Sequence, residues 1–339
     1  MPRPPVPELV RRARAGDRGA VAKLISTVEA GGPAALEAAA ALYPHTGRAY
    51  TIGVTGAPGA GKSTLVDALI GCIRASGDEV GVLAVDPTSP FSGGAILGDR
   101  VRMQDHALDP GVSIRSMATR GHLGGLALAT PQAVRVLDAA GKRWVLVETV
   151  GVGQVEVEVA GAADTTVVVV NPGWGDGVQA NKAGLMEIAD VFVVNKADRA
   201  GLDETVRDLN LMLDLSGERA WRPPIVPTVA VRGEGIPELW AAITDHRAHL
   251  EATGELERRR LERLRREVRT IVTARLAEQA ETVCSGERFE RLVGAVAART
   301  RDPYAAADEL LAELGAGAGA CCGPGPSDPA ADPGLASPR

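Results

Sequence analysis

Gly56-Ala57-Pro58-Gly59-Ala60-Gly61-Lys62-Ser63-Thr64 is the stretch whose residue types could most plainly do chemistry. The spacing Gly56-x4-Gly61-Lys62-Ser63 is that of a phosphate-binding loop, the Walker A motif. Glycines accept positive φ and let backbone N–H groups approach phosphate oxygens. A helix beginning at Lys62 adds its positive dipole end. Lys62 supplies a point charge for β- and γ-phosphates, and the Ser63 hydroxyl can ligate Mg²⁺. The bland alternative is a glycine-rich turn with a chance lysine. The β-branched run Tyr50–Thr55 before it and Leu65, Leu69 and Ile70 after it argue against that.

A second constellation is Asn195-Lys196-Ala197-Asp198, at the end of the apolar run Val191-Phe-Val-Val. An Asp carboxylate there accepts from guanine N1–H and the exocyclic amino group together, a pair adenine does not offer. The Asn side chain bonds nearby, and the Lys stem lies along the ring. Alone the tetrapeptide is a polar turn; downstream of a phosphate loop it selects guanine. Val229-Ala230-Val231 follows at the spacing where such a site places an alanine N–H on guanine O6. Glu148, closing the apolar strand Trp144–Glu148, sits where a nucleotide hydrolase keeps an acid for Mg²⁺ or water. Asp86 and Asp99 flank a long small-residue loop. Each reads equally well as an Mg²⁺ ligand or as a helix or loop cap.

These residues need strands to present them. The run 79–86 and those at Val112–Ala118, Trp144–Glu148, Asp164–Asn171, Val191–Asn195 and Pro224–Ala230 are apolar enough for buried parallel strands. Helical spacing lies between them. The expectation is an α/β fold: a mostly parallel central sheet flanked by helices, a P-loop NTPase arrangement. Residues 1–49 form an N-terminal helical extension, with one helix ended by Gly31-Gly32-Pro33 and another over Ala34–Leu42. Residues 50–250 form the nucleotide domain. Residues 251–314 are helical, with an apolar stripe from Leu256 to Leu276 that suits dimerisation. Residues 315–339 read as a disordered tail. Further helices are expected over Thr130–Ala140, Phe289–Thr300 and Pro303–Leu314. The Arg258-Arg-Arg260, Arg263, Arg265 and Arg266 cluster reads as a solvated face laced with Glu. His246 and His249 read as surface residues. Arg120 and His122 lie in a polar turn that suits a phosphate, a partner or plain solvent.

Composition narrows the classes. Hydrophobic residues make up 45% and aromatic ones 3%, so the core is aliphatic. A formal net charge of −6 argues against nucleic acid as a partner. No apolar run is long enough to span a membrane and no leader segment is evident. Cys72, Cys284, Cys321 and Cys322 form no CxxC pair, so neither a disulfide scaffold nor a zinc site is expected. The chain reads as soluble and cytoplasmic.

Five longer motifs carry a family resemblance. They are Gly53-x-Thr-Gly-x-Pro-Gly-x-Gly-Lys-Ser63, Val85-Asp-Pro-Thr-Ser-Pro90, Gly93-Gly-Ala-Ile-Leu-Gly-Asp-Arg-x-Arg-Met103, Ser116-Met-Ala-Thr-Arg-Gly-His-Leu-Gly-Gly-Leu126 and Glu148-Thr-Val-Gly-Val-Gly-Gln154. Over about residues 20 to 300 the chain resembles MeaB/ArgK-type GTPases of the SIMIBI class. The resemblance implies GTP or GDP with Mg²⁺ as cofactors. It also implies a homodimer through C-terminal helices, and GTP hydrolysis coupled to loading and protection of an adenosylcobalamin-dependent acyl-CoA mutase of the methylmalonyl-CoA type. By position, Lys62 and Ser63 match its phosphate and Mg²⁺ residues. Asp86, Asp99 and Glu148 match its Mg²⁺ acids, Asn195, Lys196 and Asp198 its guanine site, and Asp176 and Lys182 a switch loop that responds to the mutase. Val155, Gly177-Val178 and Val229 depart from the family's usual residues. Val152 stands where Ras-like enzymes keep a catalytic glutamine, which leaves Gln154 as the candidate for orienting water. Slow hydrolysis, raised by a partner, follows as an expectation. The alternative is a GTPase of the same class serving a metallocentre-assembly or transport-associated client. Five scattered histidines disfavour nickel insertion, and Asn195-Lys-x-Asp198 disfavours an ATP-driven transport accessory.

Overall fold

Runs of Val, Ile and Leu without charge must bury both faces, and an interior parallel sheet covered by helices on both sides offers that. The computed structural model describes residues 4–86, 106, 108–118, 125–149, 161–173, 187–215, 217 and 220–318. Its strands are β1 (Tyr50–Gly56), β2 (Val80–Asp86), β3 (Val112–Ala118), β4 (Trp144–Thr149), β5 (Thr165–Val170), β6 (Val191–Asn195) and β7 (Ile225–Thr228). They form one seven-stranded sheet in the order β3-β2-β4-β1-β5-β6-β7, with every pairing parallel. Every residue of β1, β4, β5 and β6 is buried. The strand carrying the phosphate loop therefore lies mid-sheet. The carboxyl ends of its neighbours gather on one edge, where open parallel sheets bind ligands.

Helices α1 (Val6–Arg14), α2 (Arg18–Ala30) and α3 (Gly32–Leu42) make the N-terminal extension. The last starts at Gly32 and takes Pro33 into its first turn, where a missing N–H costs nothing. Asp17 caps α2 by accepting from Ala20 N–H at 3.1 Å. Leu9, Val10, Leu24, Ile25 and Leu42 share one core with α5 (Gly125–Ala139) and with Leu83, Val85, Val145 and Val147 of the sheet. Asp138 of α5 fastens the exit of the extension, accepting from the N–H groups of Gly47, Arg48 and Ala49. On the other face, α4 (Lys62–Ala75) and α7 (Ile236–Ala252) cover Ile52, Val54, Leu146 and Val167. Helix α6 (Leu202–Leu215) covers Phe192 and Val194.

Some boundaries differ from expectation. Helix α5 begins at Gly125, not Thr130, and carries Pro131 inside it. Strand β7 stops at Thr228 because Ala230–Arg232 coils into a 3-10 turn. That turn is closed by Arg232 N–H on the Val229 carbonyl at 2.8 Å.

The largest correction lies at the opposite, amino-terminal edge of the sheet. Asp164 and Asp190 immediately precede β5 and β6 and accept from Thr51 N–H at 3.0 Å and Thr166 N–H at 2.9 Å. Helix α8 (Glu255–Val283) sends three arginines to them: Arg260 and Arg263 pair with Asp164, and Arg259 with Asp190. These three arginines are anchors and not a solvated face, whereas Arg258 and Arg265 pair with Glu255 and Glu262 of the same helix. Burial would raise both aspartate pKa values, but each is held below its ordinary value, Asp164 by Arg260, Arg263 and the Thr51 N–H, and Asp190 by His246 first, then Arg259 and the Thr166 N–H. His246 is likewise not at the surface. It is fully buried, with Nδ1 at 2.8 Å from Thr165 Oγ1 and Nε2 at 3.3 Å from Asp190 Oδ1. His249 is half-buried against the Trp221 ring. Hydrogen-bond partners that lie tens of residues away in sequence explain why charge patterning alone misassigned both groups.

By compactness the chain forms two units, Met1–Val268 and Arg269–Arg339. The first takes in the opening turns of α8, which the arginines and the Glu267–Arg135 ion pair (2.5 Å) hold to the sheet domain. The second comprises the rest of α8, α9 (Gly286–Ala297) and α10 (Pro303–Ala318), packed around Leu292, Ala306 and Leu310. Helix α10 runs to Ala318, so residues 315–318 are helical and not tail. Asp99, Arg120, His122, Gln154, Asp176, Lys182, Cys321, Cys322 and the rest of the tail lie outside the described residues. Among the described residues, no helix is long and apolar enough to cross a membrane.

Candidate nucleotide site

The phosphate loop is shaped by two glycines that tolerate no substitute. Gly56 ends β1 at φ +133°, and a Cβ there would fall on the Val169 carbonyl of β5. Gly61 caps α4 at φ +95°, and a Cβ there would strike the Asn195 amide. Lys62 and Ser63 open α4, each about 7% exposed. Lys62 Nζ donates to the Gly56 carbonyl at 2.5 Å and to that of Ala57 at 3.1 Å, which keeps its charge inside the loop. Ser63 Oγ donates to Glu148 Oε1 at 2.5 Å. Glu148 is 1% exposed and lies beside Val54 in the β1–β4 register. A buried hydroxyl and a buried carboxylate in contact at a helix N-terminus are hard oxygen donors of the kind Mg²⁺ takes, so the residues present fit that ion. The backbone of Asp86 lies at the same edge: β2 pairs with β4 through Ala84–Glu148 and Val85–Thr149.

On the base side, Asn195 joins three segments. Its Nδ2 donates to the Ala60 carbonyl at 2.8 Å. Its Oδ1 accepts from Thr228 Oγ1 and Ala230 N–H, both at 3.1 Å. Ala60 offers only an acceptor and Ala230 only a donor, which fixes the amide's orientation. The Ala230 N–H, expected to face guanine O6, is thus already given to Asn195. Lys196 adopts a left-handed φ of +60° and donates Nζ to the Gly59 carbonyl at 2.6 Å, laying its stem across the loop. Asp198 follows with its carboxylate half exposed, and Val231 in the loop after β7 is 79% exposed. Thr228 and Arg232 were not singled out from sequence. The only signal for Arg232 is its place in Arg232-Gly-Glu-Gly235, directly after the guanine loop.

Thus Gly56, Ala57, Pro58, Gly59, Ala60, Gly61, Lys62, Ser63 and Thr64 meet Glu148, Asn195, Lys196, Asp198, Val229, Ala230 and Val231 along one sheet edge. The family model described as methylmalonyl Co-A mutase-associated GTPase MeaB matches residues 21–285. The chain belongs to the MeaB family of GTPases. A Pyrococcus abyssi relative named as a GTPase is 53% identical over 313 residues, spanning 91% of this chain and 97% of its own. The GTPase ArgK of Escherichia coli is 38% identical over 259 residues, 74% of this chain and 78% of its own. The crystal structure of an LAO/AO transport system kinase aligns with a TM-score of 0.68 and 26% identity, covering 93% of this chain and 99% of that one. The MeaB-family chain is therefore a P-loop GTPase that binds guanine nucleotide and hydrolyses GTP.

Proposed function

We propose that this MeaB-family GTPase is a chaperone whose GTP cycle assists loading and protection of an adenosylcobalamin-dependent acyl-CoA mutase of the methylmalonyl-CoA type. The reading is carried by the family model spanning 21–285, whose description names the mutase. In it the P-loop N–H groups and Lys62 bind the phosphates, and Asp198 reads guanine. Ser63, Glu148, Asp86 and Asp99 hold Mg²⁺, which when bound offsets negative charge on the phosphates. Lys62 and Glu148 serve the hydrolytic step, and Gln154 orients water. Asp176 and Lys182 answer to the mutase. Residues 251–314 form the homodimer, and the setting is the cytoplasm. Exposed Leu261, Leu264, Val268, Val272 and Leu276 on α8 support a partner for that helix.

The test is a GTPase assay of the full chain with each acyl-CoA mutase of the same organism. Stimulation by a cobalamin-dependent mutase, blunted by Lys182→Ala while basal turnover persists, is expected. No binding and no stimulation by any of them would overturn the client assignment and leave the GTPase intact.

A further inference from the structure

We propose that Arg232 is a positioning residue for base selection: clamped by Glu234, its guanidinium holds the Asp198 carboxylate in the orientation that reads guanine. The proposal rests on the assignment of Asp198 to guanine made above. The loop that carries Arg232 is tightly built. Val229 N–H donates to the Glu234 carbonyl at 3.0 Å, and Gly233 N–H to that of Ala230 at 3.2 Å. Gly233 and Gly235 both take left-handed φ, and a Cβ on Gly235 would fall on the Pro227 carbonyl. Arg232 and Glu234 are thereby set side by side. Arg232 Nε donates to Glu234 Oε1 at 2.7 Å, and Nη2 to Oε2 at 3.3 Å. That two-point grip fixes the plane of the fork. The remaining nitrogen, Nη1, donates to Asp198 Oδ2 at 3.4 Å.

An ion pair this exposed adds little to stability, because water screens it and two long side chains must be ordered. Its consequence is orientation. Asp198 must accept two adjacent N–H groups at once, which requires both oxygens in the plane of the base. Its χ2 torsion is broad when nothing holds it. A donor on one oxygen narrows that torsion and leaves lone pairs on both oxygens for the base.

The discriminating ligand pair is GDP and inosine diphosphate. Hypoxanthine keeps N1–H but lacks the exocyclic amino group, so it needs only one carboxylate oxygen. Isothermal titration of both nucleotides into wild type, Arg232→Ala, Arg232→Lys and Asp198→Asn tests the proposal. Arg232→Ala is expected to weaken GDP about threefold to fivefold, the upper range for an exposed pair, and to leave the inosine nucleotide nearly unchanged. Arg232→Lys keeps the charge without the fork and is expected to fall between. Unchanged GDP affinity, or equal weakening of both nucleotides, overturns the proposal, since a charge or folding effect does not distinguish the bases. Asp198→Asn tests the underlying assignment separately: it should move preference toward xanthosine diphosphate. If Asp198→Asn keeps wild-type preference for GDP, the assignment of Asp198 fails whatever Arg232 does.

Discussion

Replacing Asn195 with Ala should destabilise the sheet domain and loosen the nucleotide site together. The side chain is 3% exposed and makes three hydrogen bonds, to the Ala60 carbonyl, the Thr228 hydroxyl and the Ala230 N–H. At a net contribution of about 1 kcal/mol each, their loss costs about 3 kcal/mol. The Ala60 residue is fully buried, so its abandoned carbonyl pushes the figure up, while water entering the vacated space pushes it down. A drop of about 2–4 kcal/mol in unfolding free energy is expected, or very roughly 5–15 °C in melting temperature for a unit of this size. The bonds also tie the phosphate loop to the loop after β7, so GDP should raise the melting temperature of the variant less than that of wild type. Urea unfolding followed by circular dichroism gives the first quantity, and thermal shift against GDP concentration the second. A loss below about 0.5 kcal/mol, within the range of ordinary surface substitutions, with unchanged GDP response, would refute the idea that Asn195 is a structural tether.

Two further outcomes follow from the geometry. Gly56→Ala places a Cβ on the Val169 carbonyl at a φ that L-residues rarely adopt, so GDP binding should vanish in calorimetry even where circular dichroism shows retained helix and sheet. Asp164, held below its ordinary pKa by Arg260, Arg263 and the Thr51 N–H against the opposing effect of burial, contributes stability that is present above the ordinary aspartate pKa of 3.8 and is lost as pH falls through its lower folded value. Asp164→Asn should therefore lower the melting temperature at pH 7 and flatten the acid limb of the stability–pH curve. An acid limb identical to wild type would count against the ion cluster.

Local motifs were legible because their chemistry is set by neighbours in sequence. The glycine spacing of 56–61 dictates a loop that only backbone N–H groups can line, and the strand-ending positions of Glu148 and Asn195 follow from the apolar runs before them. The arginine cluster and His246 were not legible. Arg259 meets Asp190 and Arg263 meets Asp164, 69 and 99 residues away in sequence. Helical spacing pairs arginine with glutamate on the same helix, and it cannot show that two aspartates open adjacent strands beneath that helix. Ala230 is a similar case. Its N–H is expected to meet the base, and only the three-way junction at Asn195 shows that it is already engaged.

By itself the sequence determined a parallel α/β nucleotide fold, the phosphate loop and the guanine motif, because backbone conformation and strand burial depend on residue type and short spacing. Tertiary structure alone decided that Ser63 meets Glu148, that Asn195 ties three loops, that Arg232 faces Asp198, and that α8 is anchored to the sheet by ion pairs from part-buried arginines to buried aspartates. Each is a meeting of charged or polar groups on different elements, and it exists only once sheet order and register have brought their ends together.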